Sequence, residues 1–109
     1  MSRPAVLCIL LNFRTPAMTL RAAEAALADL HGSGGELVIV DNASGDGSYE
    51  MIAREVAARG WGEGGLVRVI ASPVNGGFGA GNNIGLRMGM SDGRKADYFY
   101  ILNSDAFPD

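Results

Sequence analysis

Four short apolar runs, at residues 5–12, 36–41, 66–71 and 97–102, alternate with segments whose apolar residues recur at helical spacing. That alternation narrows the possible folds more than any other feature of the chain. Short apolar runs bounded by turn residues suit strands buried on both faces. Strands that alternate with helices call for a parallel sheet with helical crossovers, which are right-handed in nearly all cases. The expected chain order is β-α-β-α-β-α-β, an α/β, Rossmann-like parallel sheet with helices on both faces. The expected spatial order of the strands is 3-2-1-4. A chain of 109 residues holds one domain at most.

The helix boundaries follow from local chemistry. Thr15 is an N-cap candidate, with Pro16 at the first helical position and Leu20, Ala23, Leu27 and Leu30 at helical spacing. His31-Gly32-Ser33-Gly34-Gly35 ends that helix. Ser48 or Asp46, with Asp46 favoured, is expected to cap a second helix in which Tyr49, Ile52 and Val56 share a face. Gly60-Trp61-Gly62-Glu63-Gly64-Gly65 breaks it. A glycine-rich loop at 75–79 leads into a third helix expected to run to about Met90. Within it Gly81, Gly85 and Gly89 recur every four residues. Glycine costs about 1 kcal/mol per helical site relative to alanine, so the stripe implies close packing against the helix backbone. Asn82, Asn83 and Arg87 interrupt the segment and exclude a membrane dimerisation motif.

Composition removes several function classes. Hydrophobic content of 48% with 19% charged residues fits a globular core. A net charge of −3 without a basic patch argues against nucleic acid as partner. It does not exclude a nucleoside diphosphate, because a metal can supply the positive charge. Cys8 is the one cysteine, so no intrachain disulfide forms, which fits a reducing compartment. His31, the one histidine, sits where a helix dipole accounts for it. Zinc sites and Cys-His or Ser-His-Asp systems therefore lack their residues. The first apolar run is too short to span a bilayer, and no convincing cleavage site follows it. A cytoplasmic location is expected, with any membrane-peripheral contact of a longer chain carried by sequence outside this segment.

Ligands of open α/β sheets bind beyond the carboxyl ends of the strands, at the switch point of the strand order. In the order 3-2-1-4 the ends of strands 1, 2 and 4 stand side by side. Their polar residues are Asn12, Arg14, Asp41, Asn42, Asn103 and Asp105. Asp41 is expected to remain a free carboxylate that accepts a hydrogen bond from a base or sugar. The loop after it is not a calcium loop, because Ala43 and Gly45 occupy positions that need ligands. Asn75-Gly76-Gly77-Phe78-Gly79-Ala80-Gly81-Asn82-Asn83 brings backbone N–H groups toward an anion at a helix start. It contains neither G-x-G-x-x-G nor G-K-[ST], so it is neither a dinucleotide fingerprint nor a P-loop. Asp105, just past the fourth strand, is placed to meet a hard cation, and that cation to meet a diphosphate.

Four of these segments together carry a specific resemblance. Leu11-Asn12-Phe13-Arg14, and Val40-Asp41-Asn42-Ala43-Ser44-Gly45-Asp46-Gly47-Ser48, look like the opening of family 2 glycosyltransferases, which use the GT-A fold. The segment from Asn75 to Gly85 is similar to that family's N-x-G-F-x-x-G-N-N-x-G motif. Leu102-Asn103-Ser104-Asp105 resembles its metal motif in the L-N-P-D form of rhamnosyltransferase-like members. The resemblance spans essentially the whole chain and implies the N-terminal, nucleotide-sugar-binding half of a GT-A fold. It implies that Asn12, Phe13 and Arg14 line the nucleotide pocket and that Asp41 hydrogen-bonds the base. Asn75, Gly77 and Asn82 would lie near nucleotide and diphosphate. Asn103, Ser104 and Asp105 would meet the donor, with Asp105 and Asn103 holding Mg²⁺ or Mn²⁺. The implied partners are a UDP-, dTDP- or GDP-linked sugar and a saccharide or lipid-linked acceptor, in polysaccharide biosynthesis.

Two departures qualify the match. Asn-Ser-Asp lacks the first carboxylate of the motif, so metal affinity without donor is expected to be weak. The family's catalytic base, in inverting members, lies in a downstream half, so it is expected beyond Asp109. The chain is accordingly expected to bind donor without transferring sugar by itself, and to self-associate through aromatic surface at Tyr98, Phe99 and Tyr100. The alternative is a noncatalytic nucleotide-binding or regulatory module of the same half-fold. A nucleotidyltransferase fits less well, because Asn12-Phe13-Arg14-Thr15-Pro16 has no glycine. A flavodoxin-like module would reveal itself by flavin absorbance.

Overall fold

The first apolar run forms strand β1 (Val6–Asn12), whose side chains are buried on both faces of the sheet apart from half-buried Val6. Helix α1 (Pro16–Leu30) follows, then β2 (Glu36–Asp41), α2 (Ser48–Ala58), β3 (Val67–Ala71) and β4 (Tyr98–Asn103). The computed structural model describes residues 5–12, 15–30, 35–41, 45, 47–63, 66–72, 89–91, 93 and 95–103, without the side chain of Asn103. The four strands form one sheet in the order β3-β2-β1-β4, every pairing parallel. This is the Rossmann-like order expected from the sequence.

Period-two alternation divides the core into two layers. Cys8 and Leu10 of β1 and Leu37 and Ile39 of β2 pack beneath Leu20, Ala23 and Leu30 of α1 and Ile52 and Val56 of α2. Both described helices thus lie on one face. Leu7, Ile9 and Leu11, with Val38 and Val40, form the opposite layer, where Met90 joins them and Ala96 packs alongside. Met90 and Ala96, which lie between β3 and β4 in the chain, are thus placed on this second face. Residues 73–88, where the third helix is expected, lie outside the described residues.

Three local expectations are corrected. The N-cap of α2 is Gly47, at φ 88°, with Ser48 the first helical residue. The chain enters α2 through a left-handed residue, a conformation that favours glycine and moves the cap to the position between the two candidates. Gly89 has φ 68°, so it is not inside a helix, and the expected third helix does not reach Met90. Strands β1, β3 and β4 each begin one residue later than expected, and β4 also ends one residue later.

Glu36 anchors the segment around Gly89 to the sheet. Its carboxylate accepts from the Ser91 N–H at 2.8 Å, from the Ser91 hydroxyl at 2.9 Å and from Arg68 Nη2 at 3.3 Å. Arg68 Nη2 also donates to the Gly89 carbonyl at 2.6 Å. At the other edge β4 is open. Tyr98 and Tyr100 are each 57% exposed, Ile101 46% and Phe99 41%. Between β4 and the last turns of α1 runs an apolar groove of about 450 Å³, lined by Val6, Ala26, Leu30, Tyr100 and Leu102.

Cys8 also borders this groove, yet is only 5% exposed. Burial pushes its thiol above the ordinary range, and the Asp29 carboxylate pushes in the same direction. The thiolate is the nucleophile, so Cys8 is expected to react at least tenfold more slowly with a disulfide reagent at pH 8 than in urea. The linkage has a definite sign. Above about pH 8.5 the unfolded thiol loses its proton while the folded one keeps it, so stability is flat below that pH and falls above it. Urea midpoints of the protein and of Cys8→Ala, measured from pH 7 to 10, check this: only the unmodified protein should show this thiol-dependent part of the decline.

Candidate functional site

The carboxyl ends of β1 and β2 stand in register, Asn12 opposite Asp41, and the end of β4 stands beside β1, Leu11 opposite Asn103. Asn12 continues the row Cys8-Leu10 and Asp41 the row Leu37-Ile39, so both side chains emerge on the face covered by α1. Both are buried, Asn12 at 0% and Asp41 at 3% exposure. Asn12 Nδ2 donates to Asp41 Oδ1 at 2.7 Å. The Thr19 hydroxyl, itself fully buried, donates to Asn12 Oδ1 at 2.7 Å. Asp41 is therefore not the free carboxylate expected from the sequence. An ionised carboxylate can stay buried only where donors meet it, and Asn12 is one of them.

The local sequence explains why Thr19 is in reach. Helix α1 begins at Pro16, and the Thr15 carbonyl accepts from the Thr19 N–H at 2.9 Å, which puts Thr15 at the N-cap position. Thr19 is then one turn into the helix. It heads the buried stripe that continues through Ala22, Ala23, Ala26 and Leu30. The sequence reading missed Thr19 as a site residue, although its spacing to Ala23 and Ala26 marks the buried face. Ser72 was also missed. It is buried just after β3, and its N–H donates to the Asp41 carbonyl at 2.8 Å. This bond ties the start of the 73–88 segment to the end of β2.

Of the residues expected to form the site, the structure brings Asn12 and Asp41 into contact and sets the backbone of Asn103 beside β1. Phe13, Arg14, Asn75, Gly77, Asn82, Ser104 and Asp105 lie outside the described residues. Among the described residues, no three His, Cys, Asp or Glu side chains converge on a point that could hold a metal. The expected metal ligand Asp105 and the side chain of Asn103 are not among them. No helix among the described residues is long and apolar enough to cross a membrane.

The family model described as "Glycosyl transferase family 2" matches residues 9–109. No curated protein gives a significant match. Among solved structures, the chain is similar to the mannosyltransferase PcManGT from Pyrobaculum calidifontis, in complex with GDP-Man and Mn²⁺. The TM-score is 0.68 and the identity 21%, over 96% of this chain and 28% of that one. At this identity the likeness bears on the fold, and this chain spans little more than a quarter of that protein's length.

Proposed function

The chain belongs to glycosyl transferase family 2, and on that premise we propose that these residues bind the nucleoside-diphosphate sugar donor of a glycosyltransferase. The observation that carries this reading is the buried Asn12–Asp41 pair at the carboxyl ends of the adjacent strands β1 and β2, the end of the sheet beyond which open α/β folds bind ligands. Asp41 is an acceptor in reach of a base edge that offers an N–H, as in uracil, thymine or guanine. Asn12, with Phe13 and Arg14 after it, borders the nucleotide. Asn75, Gly77 and Asn82 supply donors toward the diphosphate.

A divalent cation, Mg²⁺ or Mn²⁺, is part of the reading, held by Asp105 with Asn103 in the first position of the motif. When bound, it supplies Lewis-acid stabilisation of the departing diphosphate. The proposed transfer is inverting, to a saccharide or lipid-linked acceptor in polysaccharide biosynthesis. The single thiol Cys8 supports a cytoplasmic setting.

Calorimetric titration with UDP, dTDP and GDP, with Mn²⁺ and with EDTA, tests the proposal. One nucleotide should bind in Mn²⁺ and bind at least tenfold more weakly in EDTA. No measurable binding to any of the three would remove the donor-site reading.

The open β4 edge also belongs to this proposal. An edge strand with four exposed apolar residues pairs readily with another surface. The 109-residue chain is expected to self-associate in sedimentation at tens of micromolar, and Phe99→Lys with Ile101→Lys to return it to monomer. A monomeric profile for the unmodified chain over that range would exclude self-association through β4.

A further inference from the structure

The three buried side chains at the ends of β1 and β2 form a chain with a fixed direction. Asp41, when ionised, only accepts hydrogen bonds, so the Asn12 amide must turn its NH₂ toward it. Asn12 Oδ1 then faces Thr19, whose hydroxyl must donate. Thr19 is the one polar residue among those buried on α1. Its β-branched side chain has few rotamers, and it is carried one turn inside a helix whose start is fixed by Thr15 and Pro16.

We propose that Thr19 is the positioning residue of this site: its hydroxyl fixes the Asn12 amide, and the amide holds Asp41 as the acceptor for a base edge bearing an N–H. The proposal rests on the donor-site reading above and assigns base recognition to a residue on α1 that need not touch the nucleotide. Without the hydroxyl, the fully buried Asn12 Oδ1 loses the donor that holds it, and the amide is fixed less firmly against Asp41. An amide that shifts to find another donor for its oxygen carries its NH₂ away from the best line to Asp41, and the carboxylate is displaced with it. Affinity for the base falls, while contacts to the diphosphate, made by other segments, remain.

The test compares Thr19→Val, which keeps the shape and removes the hydroxyl, with Thr19→Ser, which keeps the hydroxyl. Dissociation constants are measured in Mn²⁺ for the preferred nucleoside diphosphate and for inorganic pyrophosphate. Thr19→Val should weaken the nucleoside diphosphate about tenfold, equivalent to about 1.4 kcal/mol, and leave pyrophosphate within about twofold. Thr19→Ser should bind both within about threefold of the unmodified protein, a tolerance well inside that 1.4 kcal/mol. Thr19→Ala is expected to repeat the Thr19→Val result without placing a second methyl against the amide, should valine prevent folding.

A merely structural role for Thr19 would weaken both ligands together, and that result overturns the proposal. So does a Thr19→Val protein that binds nucleotide like the unmodified one. Asp41→Asn separates the levels. If Asp41→Asn loses nucleotide affinity while Thr19→Val keeps it, only the positioning role falls. If Asp41→Asn binds every nucleotide unchanged, Asp41 is not the base acceptor and the proposal falls with that reading.

Discussion

Asn12→Asp is expected to destabilise the protein by about 4 kcal/mol at pH 7 and by much less at pH 5. Asn12 is fully buried and gives its NH₂ to Asp41 at 2.7 Å. Aspartate at that position replaces the donor by an acceptor of nearly the same shape. Two carboxylates in hydrogen-bond contact inside a protein cannot both ionise, so the folded variant must hold a proton between them. Unfolded carboxylates release theirs near pH 4, so between pH 4 and 7 the folded variant binds more protons than the unfolded chain. Its stability therefore rises as pH falls. Asn12→Leu removes the same donor without adding charge. It should lose about 2 kcal/mol, the scale of one hydrogen bond to a charged group, with no recovery at pH 5 beyond that of the unmodified protein. Urea unfolding followed by circular dichroism reads both, the larger loss shifting the midpoint by roughly 2 M. An Asn12→Asp midpoint that tracks the unmodified protein at both pH values would show that the fold does not hold residues 12 and 41 together.

The strand order could be read from the sequence because each apolar run is continuous and each intervening segment is long enough for a crossover. Parallel topology then leaves few arrangements. The corrected details are those that depend on backbone conformation at a single residue. Asp46 and Ser48 both outrank glycine as caps on propensity. Yet the chain turns into α2 through a φ of 88° at Gly47, and this decides the position. Gly89 looked like the third member of a helical glycine stripe. Its φ of 68° puts it outside helical geometry, with its carbonyl taken by Arg68. Period-four spacing alone does not separate a glycine packed within a helix from one outside any helix.

The candidate site was legible where polar residues close the apolar runs. Asn12 and Asp41 are polar residues closing apolar runs, and the parallel register sets them opposite one another. What could not be read was how they meet. Asp41 looked free because nothing local says that the neighbouring strand ends in an amide at the same register, and register is a long-range property. Thr19 looked like one more position on an amphipathic helix. Its contact with Asn12 depends on α1 packing over the end of β1, which brings a residue seven places further along the chain back onto that strand.

Asp105→Ala is expected to weaken binding of the preferred nucleoside diphosphate in Mn²⁺ by roughly 100-fold, since even partners behind a metal ligand change metal affinity 10- to 100-fold. With Asn103-Ser104-Asp105 in place of two carboxylates, Asp105 is the one charged ligand the motif offers. Its loss leaves the cation bound by neutral donors and by the diphosphate itself. In EDTA the order should reverse. A carboxylate beside a diphosphate repels it when no cation lies between them, so the variant should bind at least as tightly as the unmodified protein. Asp41→Ala should instead lose affinity in both conditions, because an acceptor for the base does not depend on the metal. Four titrations, each variant with Mn²⁺ and with EDTA, therefore separate the two carboxylates by role. Parallel losses for both variants in both conditions would mean that Asp105 supports the loop rather than the cation. The reversal in EDTA is the outcome that a folding defect cannot produce, since a damaged pocket has no reason to prefer its ligand once the metal is gone.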